Sequence, residues 1–153
     1  MPLAFEVITY VGAKPLLFGM AQAHAESVVG LPLDSTLDHR SEHNARYETF
    51  SIRYLPKGGT LVEIGFSRFA DVSFRGIDIF RDPEAFQKLL RYDSNPYEYF
   101  GFIVLLDLGI ALTGFHDSDE SQRALTAFAQ GRWDHLKGKL KEFEASTNKG
   151  RTQ

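Results

Sequence analysis

Cysteine is absent from the 153 residues of this chain. Without thiols the chain has no disulfide framework, no thiolate zinc site and no cysteine nucleophile, so its stability must come from packing. A chain of this kind fits a reducing compartment, and we expect a cytoplasmic protein.

Long apolar runs are also absent. The longest one extends from Phe100 to Leu106, which is far shorter than the about 20 residues that a membrane-spanning helix needs. The opening sequence MPLAFEVITYVGAK lacks the basic segment followed by a continuous apolar segment that a secretory signal requires. We therefore expect neither membrane insertion nor export.

Positive charge is scarce over most of the chain. Residues 132–153 hold six basic and three acidic side chains, which leaves 11 basic against 17 acidic side chains on residues 1–131. An acidic body argues against a broad nucleic-acid surface and is compatible with a basic protein partner.

Large apolar side chains are plentiful, since the chain contains 13 phenylalanines, six tyrosines and one tryptophan. A chain of this length can bury most of its apolar surface around one core, whereas two separate domains would each be too small. The composition therefore predicts a single domain over residues 1–148, with a short disordered tail over residues 149–153.

Alternation of apolar and polar residues predicts most of the strands. A hairpin is predicted on either side of the sequence PKGG, and Gly76 is expected to form a bulge in the meander that follows. The connections are too short for crossovers, so the pairing should be antiparallel. The predicted strands cover residues 5–9, 49–54, 62–66, 72–74, 77–80, 100–107 and 110–113.

Helical spacing of apolar residues marks three further segments. A short helix should run from Ala21 to Val29 and stop at Gly30, and a second should begin at Asp82 and Pro83. Trp133, Leu136, Leu140 and Phe143 predict a closing amphipathic helix.

Two segments are harder to assign from the pattern. Residues 121–129 fit either a helix or a strand, and we favour the strand. The polar stretch from Leu33 to Ala45 is predicted to be a long loop. Together the patterns predict an α+β fold with a single, mainly antiparallel sheet of about six to seven strands, packed by two to four helices that include the C-terminal amphipathic helix.

The string His39-Arg40-Ser41-Glu42-His43 matches H-x-x-E-H, a zinc-protease signature in which one helix holds both imidazoles. Here the string lies in the most polar part of the chain, and no later helix offers a third ligand. A solvated loop is the favoured interpretation, and a zinc hydrolase is the less favoured alternative. We assign no catalytic residue, metal or cofactor.

Two patches are candidates for binding a partner. Asp117, Asp119 and Glu120 form an acidic loop that would attract a cationic surface. Tyr97, Glu98 and Tyr99, together with Asp93, form a second patch, because tyrosines beside acids are typical interface anchors. The competing interpretation of the second patch is that its tyrosines cover the edge of the core.

Three strings carry a resemblance to a known class: FGMAQAHAESVVGLP, VSFRGIDIF and DLGIALTGFHDSDESQRALTAFAQGRWD. They resemble small, single-domain immunity proteins that bacteria encode beside polymorphic toxins. The resemblance implies a protein that binds the toxin and blocks its action in the cell that makes it. Inhibitory residues differ from one immunity protein to the next, so the resemblance assigns no residue here.

The sequence therefore predicts a non-enzymatic, cytoplasmic protein that neutralises a cognate toxin by direct contact, as a monomer or weak homodimer. The two patches are its predicted contact sites. The alternative is a small-molecule-binding or regulatory module, whose apolar pocket would be lined by some of the many phenylalanines.

Overall fold

The computed structural model of the chain describes residues 3–57, 59–117 and 119–143. The tail predicted over residues 149–153 lies outside this part of the chain. The elements follow one another as β1 (Ala4–Ile8), β2 (Gly12–Lys14), β3 (Leu16–Leu17), α1 (Gln22–Val29), β4 (Asp34–Leu37), β5 (His43–Arg46), β6 (Phe50–Tyr54), β7 (Leu61–Ser67), β8 (Asp71–Phe74), β9 (Ile77–Asp78), α2 (Ala85–Leu90), β10 (Tyr97–Tyr99), β11 (Phe102–Leu105), β12 (Ile110–Thr113), β13 (Ala124–Phe128) and β14 (Lys141–Glu142). Short 3-10 helices span Glu120–Gln122 and Asp134–Lys139.

The described residues form two sheets and not one. The smaller has five strands in the order β3-β2-β1-β8-β9, and the larger has nine in the order β14-β10-β11-β12-β13-β7-β6-β5-β4. The predicted α+β fold, with a single sheet of six to seven strands and two to four helices, is therefore wrong. Strands dominate, and the described residues contain two α-helices.

The division into two sheets depends on a pairing that the sequence pattern did not reveal. Strand β1 pairs in parallel with β8, with Phe5 beside Val72. The long stretch of chain between these strands provides the crossover that parallel pairing requires. The expectation of antiparallel pairing holds elsewhere in both sheets.

Several local predictions are confirmed. The hairpin around PKGG is the β6–β7 pair, the first helix is α1, and the ambiguous segment 121–129 contains strand β13. A second helix, α2, follows Pro83. The predicted bulge at Gly76 is wrong, because Arg75 and Gly76 form a two-residue turn between β8 and β9, with φ angles of 49° and 82°.

The predicted loop from Leu33 to Ala45 is also wrong, since this segment forms β4 and β5. All four residues of β4 are exposed, so the strand shows no alternation of apolar and polar side chains. A strand without a buried face does not need an apolar residue at every second position, so its sequence shows no two-residue period.

The closing amphipathic helix is replaced by the 3-10 helix Asp134–Lys139 and the edge strand β14. Trp133 and Leu140 pack on one cluster of buried residues, while Phe143 packs on the other. These clusters lie on opposite faces of the larger sheet. The apolar residues have helical spacing, but one face of a single α-helix cannot contact clusters on both sides of a sheet.

The main core lies between the two sheets. Phe5 of the smaller sheet contacts Phe50 and Phe66 of the larger one, with ring centroids 4.9 and 5.0 Å apart. We call the side of the larger sheet that carries these residues the inner face. Its opposite side is the outer face, which carries Val104 and Ala111.

The outer face is apolar at one end of a row of cross-strand neighbours and polar at the other end. The row begins with Tyr97, Val104 and Ala111. The segment around Trp133 covers this apolar half of the row. The row continues across the remaining strands with Thr126, Gly65, Ser51 and Arg46. A network of ion pairs lies beside this polar half.

Glu42 and Arg132 form the centre of that network. The Glu42 carboxylate is 5% exposed and accepts two hydrogen bonds from the Arg132 guanidinium, each 2.6 Å long. The Arg132 Nε also donates to Glu63 over 3.1 Å. Arg53, whose Nη1 lies 2.5 Å from Asp38, extends the network to the turn between β4 and β5. The contact between Glu42 and Arg132 connects the segment after β13 to the start of β5.

Hydrogen bonding by Arg132 holds the pKa of Glu42 below its ordinary value of 4.5, against the opposing effect of burial. A carboxyl whose pKa is lower in the folded state than in the unfolded state stabilises the fold above its ordinary pKa. That stabilisation disappears as the pH falls through the lowered value.

We expect Glu42→Gln to lower the free energy of unfolding at pH 7 by about 3 kcal/mol, because it removes the buried carboxylate that accepts two hydrogen bonds from the largely buried Arg132 guanidinium. Urea unfolding at pH 7 and at pH 3 measures the effect, which should shrink at the lower pH. Glu48→Gln, at an exposed position, is the control. Equal stability of the two variants at pH 7 would contradict the assignment.

Candidate partner-binding site

Phe100 stands at the tip of the β10–β11 hairpin with 86% of its surface exposed. Phe100 and Gly101 form the two-residue turn, with φ angles of 46° and 85°. Such a turn matches the twist of the two strands and fixes the direction of its side chains. The sequence placed Phe100 in a strand, whereas the strand begins at Phe102.

The predicted site residues Tyr97 and Tyr99 lie half-buried on the outer face of β10. The Tyr99 ring lies 6.3 Å from the Trp133 ring and 4.7 Å from the Phe100 ring. The tyrosines therefore cover the edge of the core, as the competing interpretation held, and Tyr99 also contacts the base of the exposed Phe100 ring.

Glu98 points to the other side of β10 and links the two predicted patches. Its Oε2 lies 3.8 Å from Nε2 of His116, the residue before the acidic loop. Ile103 pairs with Leu112, so the turn before β11 and the loop after β12 lie at the same end of the sheet. The structure thus brings the two predicted patches together.

The acidic loop presents Asp117, Asp119 and Glu120 to solvent. Asp119 accepts a hydrogen bond from Ser121 Oγ over 2.6 Å. At its base, Thr113 Oγ1 donates to the Gln122 carbonyl over 2.8 Å.

Gly114 is a residue of that loop that has no space for a side chain. Its φ is +79°, and a Cβ there would lie 2.5 Å from the Arg123 backbone nitrogen. The position therefore requires glycine for both its conformation and its space.

Asp93, the remaining predicted site residue, is 6% exposed. Its carboxylate accepts backbone hydrogen bonds from Asn95 and Asp107, each 2.9 Å long. Burial raises the pKa of Asp93 despite these bonds. Asp93 thus shapes the chain that leads into β10 and does not present its carboxylate at the surface.

A groove of about 510 Å³ runs beside the exposed phenylalanine. Its lining includes Lys139 and Lys141 together with Glu98 and Phe100. Lys141 comes next to Glu98 because β14 pairs with β10. Both lysines fall within the segment that the sequence predicts to be the closing helix, and the sequence patterns did not identify Phe100 as a surface residue. The Phe-Gly pair between two strand patterns is the signal that would have identified the turn.

The H-x-x-E-H string does not lie on a helix. Its Glu42 is held by Arg132, while His43 is in β5 and contacts the Tyr54 ring at 6.0 Å on the inner side of the sheet. Strand alternation directs the two side chains to opposite faces. Within residues 3–57, 59–117 and 119–143, no group of three or more histidine or acidic side chains is placed to hold a metal ion.

Comparisons of the chain with protein-family models, with curated proteins and with solved structures find no match. In the part of the chain that the structure describes, no helix has both the length and the apolar character needed to cross a bilayer.

We expect Gly114→Ala to destabilise the protein by more than about 2 kcal/mol, since the added methyl group meets backbone atoms at a positive φ. Gly138→Ala is the matched control, because a Cβ at Gly138 has no atom within 4 Å. Thermal unfolding of both variants measures the difference. Equal melting temperatures would show that the loop accommodates a side chain at Gly114.

Proposed function

We propose that this protein is an immunity protein, a non-enzymatic cytoplasmic binder that neutralises a cognate bacterial toxin by direct contact. The proposal combines the resemblance of the three sequence strings with the surface at the end of the larger sheet. Its contact surface consists of the Phe100 turn, the groove beside it and the acidic loop. We refer to these three parts together as the hairpin-tip surface.

The exposure of Phe100 on a two-residue turn is the observation that carries the proposal. Removing a large aromatic ring from water on binding is favourable, so an exposed ring is a candidate anchor for a partner. Aromatic side chains are also enriched among the residues that dominate binding energy. Because the turn fixes the backbone beneath Phe100, little conformational freedom remains to be lost when a partner binds.

The charges around Phe100 favour a partner with a basic surface. Asp117, Asp119 and Glu120 are exposed on one side of the hairpin-tip surface. Opposite charges across an interface accelerate encounter and fix its orientation. Lys139 and Lys141 in the groove offer a place for an acidic side chain of the same partner.

The two buried carboxylates support a binding role over a catalytic one. Glu42 holds the Arg132 guanidinium, and Asp93 holds the backbone before β10. A carboxylate that is held by such hydrogen bonds stabilises the fold. The exposed acids Asp117, Asp119 and Glu120 lie at the hairpin-tip surface, where they can contact another protein.

Packing of the phenylalanines weighs against the alternative of an apolar ligand pocket. Phe80 and Phe86 both lie against Phe115, with ring centroids 6.0 and 6.3 Å apart. Phe5, Phe50 and Phe66 form a second set of contacting rings. Rings that pack on one another fill the space that a ligand would need.

We expect Phe100→Ala to weaken binding to the toxin encoded beside this protein by about 30-fold or more, as for an aromatic hot spot. Alanine and phenylalanine meet the same difficulty at positive φ, so the turn itself is little affected. Leu31→Ala, at a position 80% exposed beyond α1, is the control. Calorimetric titration and survival on coexpression with the toxin are the measurements.

Two results would contradict this proposal. Unchanged killing by the toxin, without any complex, would remove the immunity function itself. An intact complex that Phe100→Ala and Leu31→Ala weaken equally would place the contact elsewhere on the molecule.

The acidic loop should act mainly on the rate of association. We expect Asp117→Asn combined with Glu120→Gln to slow association several-fold at low salt and to leave dissociation nearly unchanged. The difference should vanish at 1 M salt, where charges are screened beyond about 3 Å. Glu6→Gln combined with Glu48→Gln removes the same charge from exposed positions and is the control. Equal association rates for both pairs would exclude steering by the loop.

A further inference from the structure

Phe69 is a second phenylalanine that the fold leaves exposed, with 68% of its surface in contact with water. It lies in the short connection between β7 and β8, which we call the Phe69 turn. The Ala70 N–H donates to the Ser67 carbonyl over 3.0 Å and closes this connection into a hydrogen-bonded turn. The backbone beneath Phe69 is therefore ordered, as is the backbone beneath Phe100.

The register of the strands places Phe69 and Phe100 at the same end of the larger sheet. Thr113, at the end of β12, pairs with Ala124 of β13, and Ala124 pairs with Ser67 at the end of β7. The acidic loop that joins β12 to β13 therefore lies between the Phe100 turn and the Phe69 turn. At the usual strand spacing, the distance from the Phe100 turn to the end of β7 is about 17 Å.

Arg68 stacks on the ring of Phe69. The central carbon of its guanidinium lies 4.5 Å from the ring centroid. A cation in this position is attracted to the electron-rich face of the ring. The contact restricts the Phe69 side chain in the free protein, so less conformational freedom is lost when a partner covers the ring.

Basic side chains accompany both phenylalanines, and acidic side chains lie between them. Lys139 and Lys141 line the groove beside Phe100, and Arg68 contacts Phe69. The acids of the acidic loop are exposed in the intervening space. A surface complementary to this end of the sheet would have a basic centre, an apolar recess on either side of it and acidic groups near each recess.

The width of this end of the sheet matches what a specific interface needs. A standard interface buries about 800 Å² on each partner, which corresponds to a patch about 30 Å across. At the usual strand spacing, strands β14 to β13 span about 19 Å, and the addition of β7 extends the span to about 24 Å. The side chains at both ends add several ångströms more. With the Phe69 turn, the hairpin-tip surface therefore approaches the standard width.

We propose that the Phe69 turn is a second anchor for the toxin, and that the toxin carries a basic patch between two apolar recesses about 17 Å apart. One recess receives Phe100 and the other receives Phe69. Lysine or arginine side chains of the toxin lie opposite the acidic loop. This inference rests on the proposed immunity function and deepens it, because it describes the surface by which the toxin is recognised.

We expect Phe69→Ala to weaken binding to the toxin encoded beside this protein by about tenfold or more, because the ring no longer fills its recess. Leu37→Ala is the matched control, since Leu37 is 71% exposed. The register connects Leu37 through β5 and β6 to Leu61, the first residue of β7, so it lies at the opposite end of the sheet. Calorimetric titration measures the affinity, and thermal unfolding verifies that each variant is folded.

The combination of Phe69→Ala with Phe100→Ala tests whether the two rings occupy separate recesses. Effects of substitutions more than about 10 Å apart are usually additive in free energy, so the two fold-changes in affinity should multiply. A combined variant that binds no more weakly than Phe100→Ala would overturn the proposal.

Single cysteines test the proximity of the toxin independently of affinity, because the chain has no cysteine of its own. A benzophenone maleimide attached at Phe69→Cys or at Phe100→Cys should crosslink to the toxin on irradiation. The same label at Leu37→Cys should not. Mass spectrometry of the crosslinked peptides should find the two attachment sites on opposite sides of a basic patch of the toxin.

The outcomes separate this inference from the proposed function. If the wild-type protein forms no complex with the toxin, both are wrong. If Phe100→Ala weakens the complex while Phe69→Ala has only the effect of Leu37→Ala, the second anchor is wrong and the proposed function stands. Labels at Phe69→Cys and Leu37→Cys that crosslink to the toxin equally would also exclude the second anchor.

Discussion

The paired hydrogen bonds between Glu42 and Arg132 connect parts of the chain that are 90 residues apart. Arg132 immediately precedes Trp133, whose ring packs on Phe128 at 5.5 Å and contacts Tyr99. Tyr99 in turn supports the Phe100 turn. The orientation of the proposed binding surface therefore depends on an ion pair at the other half of the outer face, because Arg132 positions the segment that covers the apolar half.

The two edges of the larger sheet have different chemistry. At the β10 and β14 edge, aromatic rings and charges of both signs surround a turn, which suits recognition of a different protein. At the β4 edge, the four strand residues are all exposed and three of them are polar.

Local alternation made part of this fold predictable from sequence. The β6–β7 hairpin was evident because Ile52 and Ile64 are buried while their neighbours are not. Strand β4 was missed because both of its faces meet water, and Trp133 and Phe143 suggested a helix because spacing alone does not show which side of a sheet each residue reaches. The acidic loop was identified by its charge. Phe100 was missed because it begins an apolar run, which predicts a strand, and the glycine that follows it was not taken as the mark of a turn.

The position of β13 has a consequence for how the protein is made. This strand lies between β7 and β12, so residues 61–67 gain their second neighbour only when residues 124–128 have been synthesised. Until then the nascent chain carries β7 with an open edge beside the apolar side chains of Ile64 and Phe66. Closing contacts of such long sequence separation is slow, and an open apolar edge readily pairs with other chains. Fragments that end before Ala124 would therefore leave that edge open to pairing with other chains.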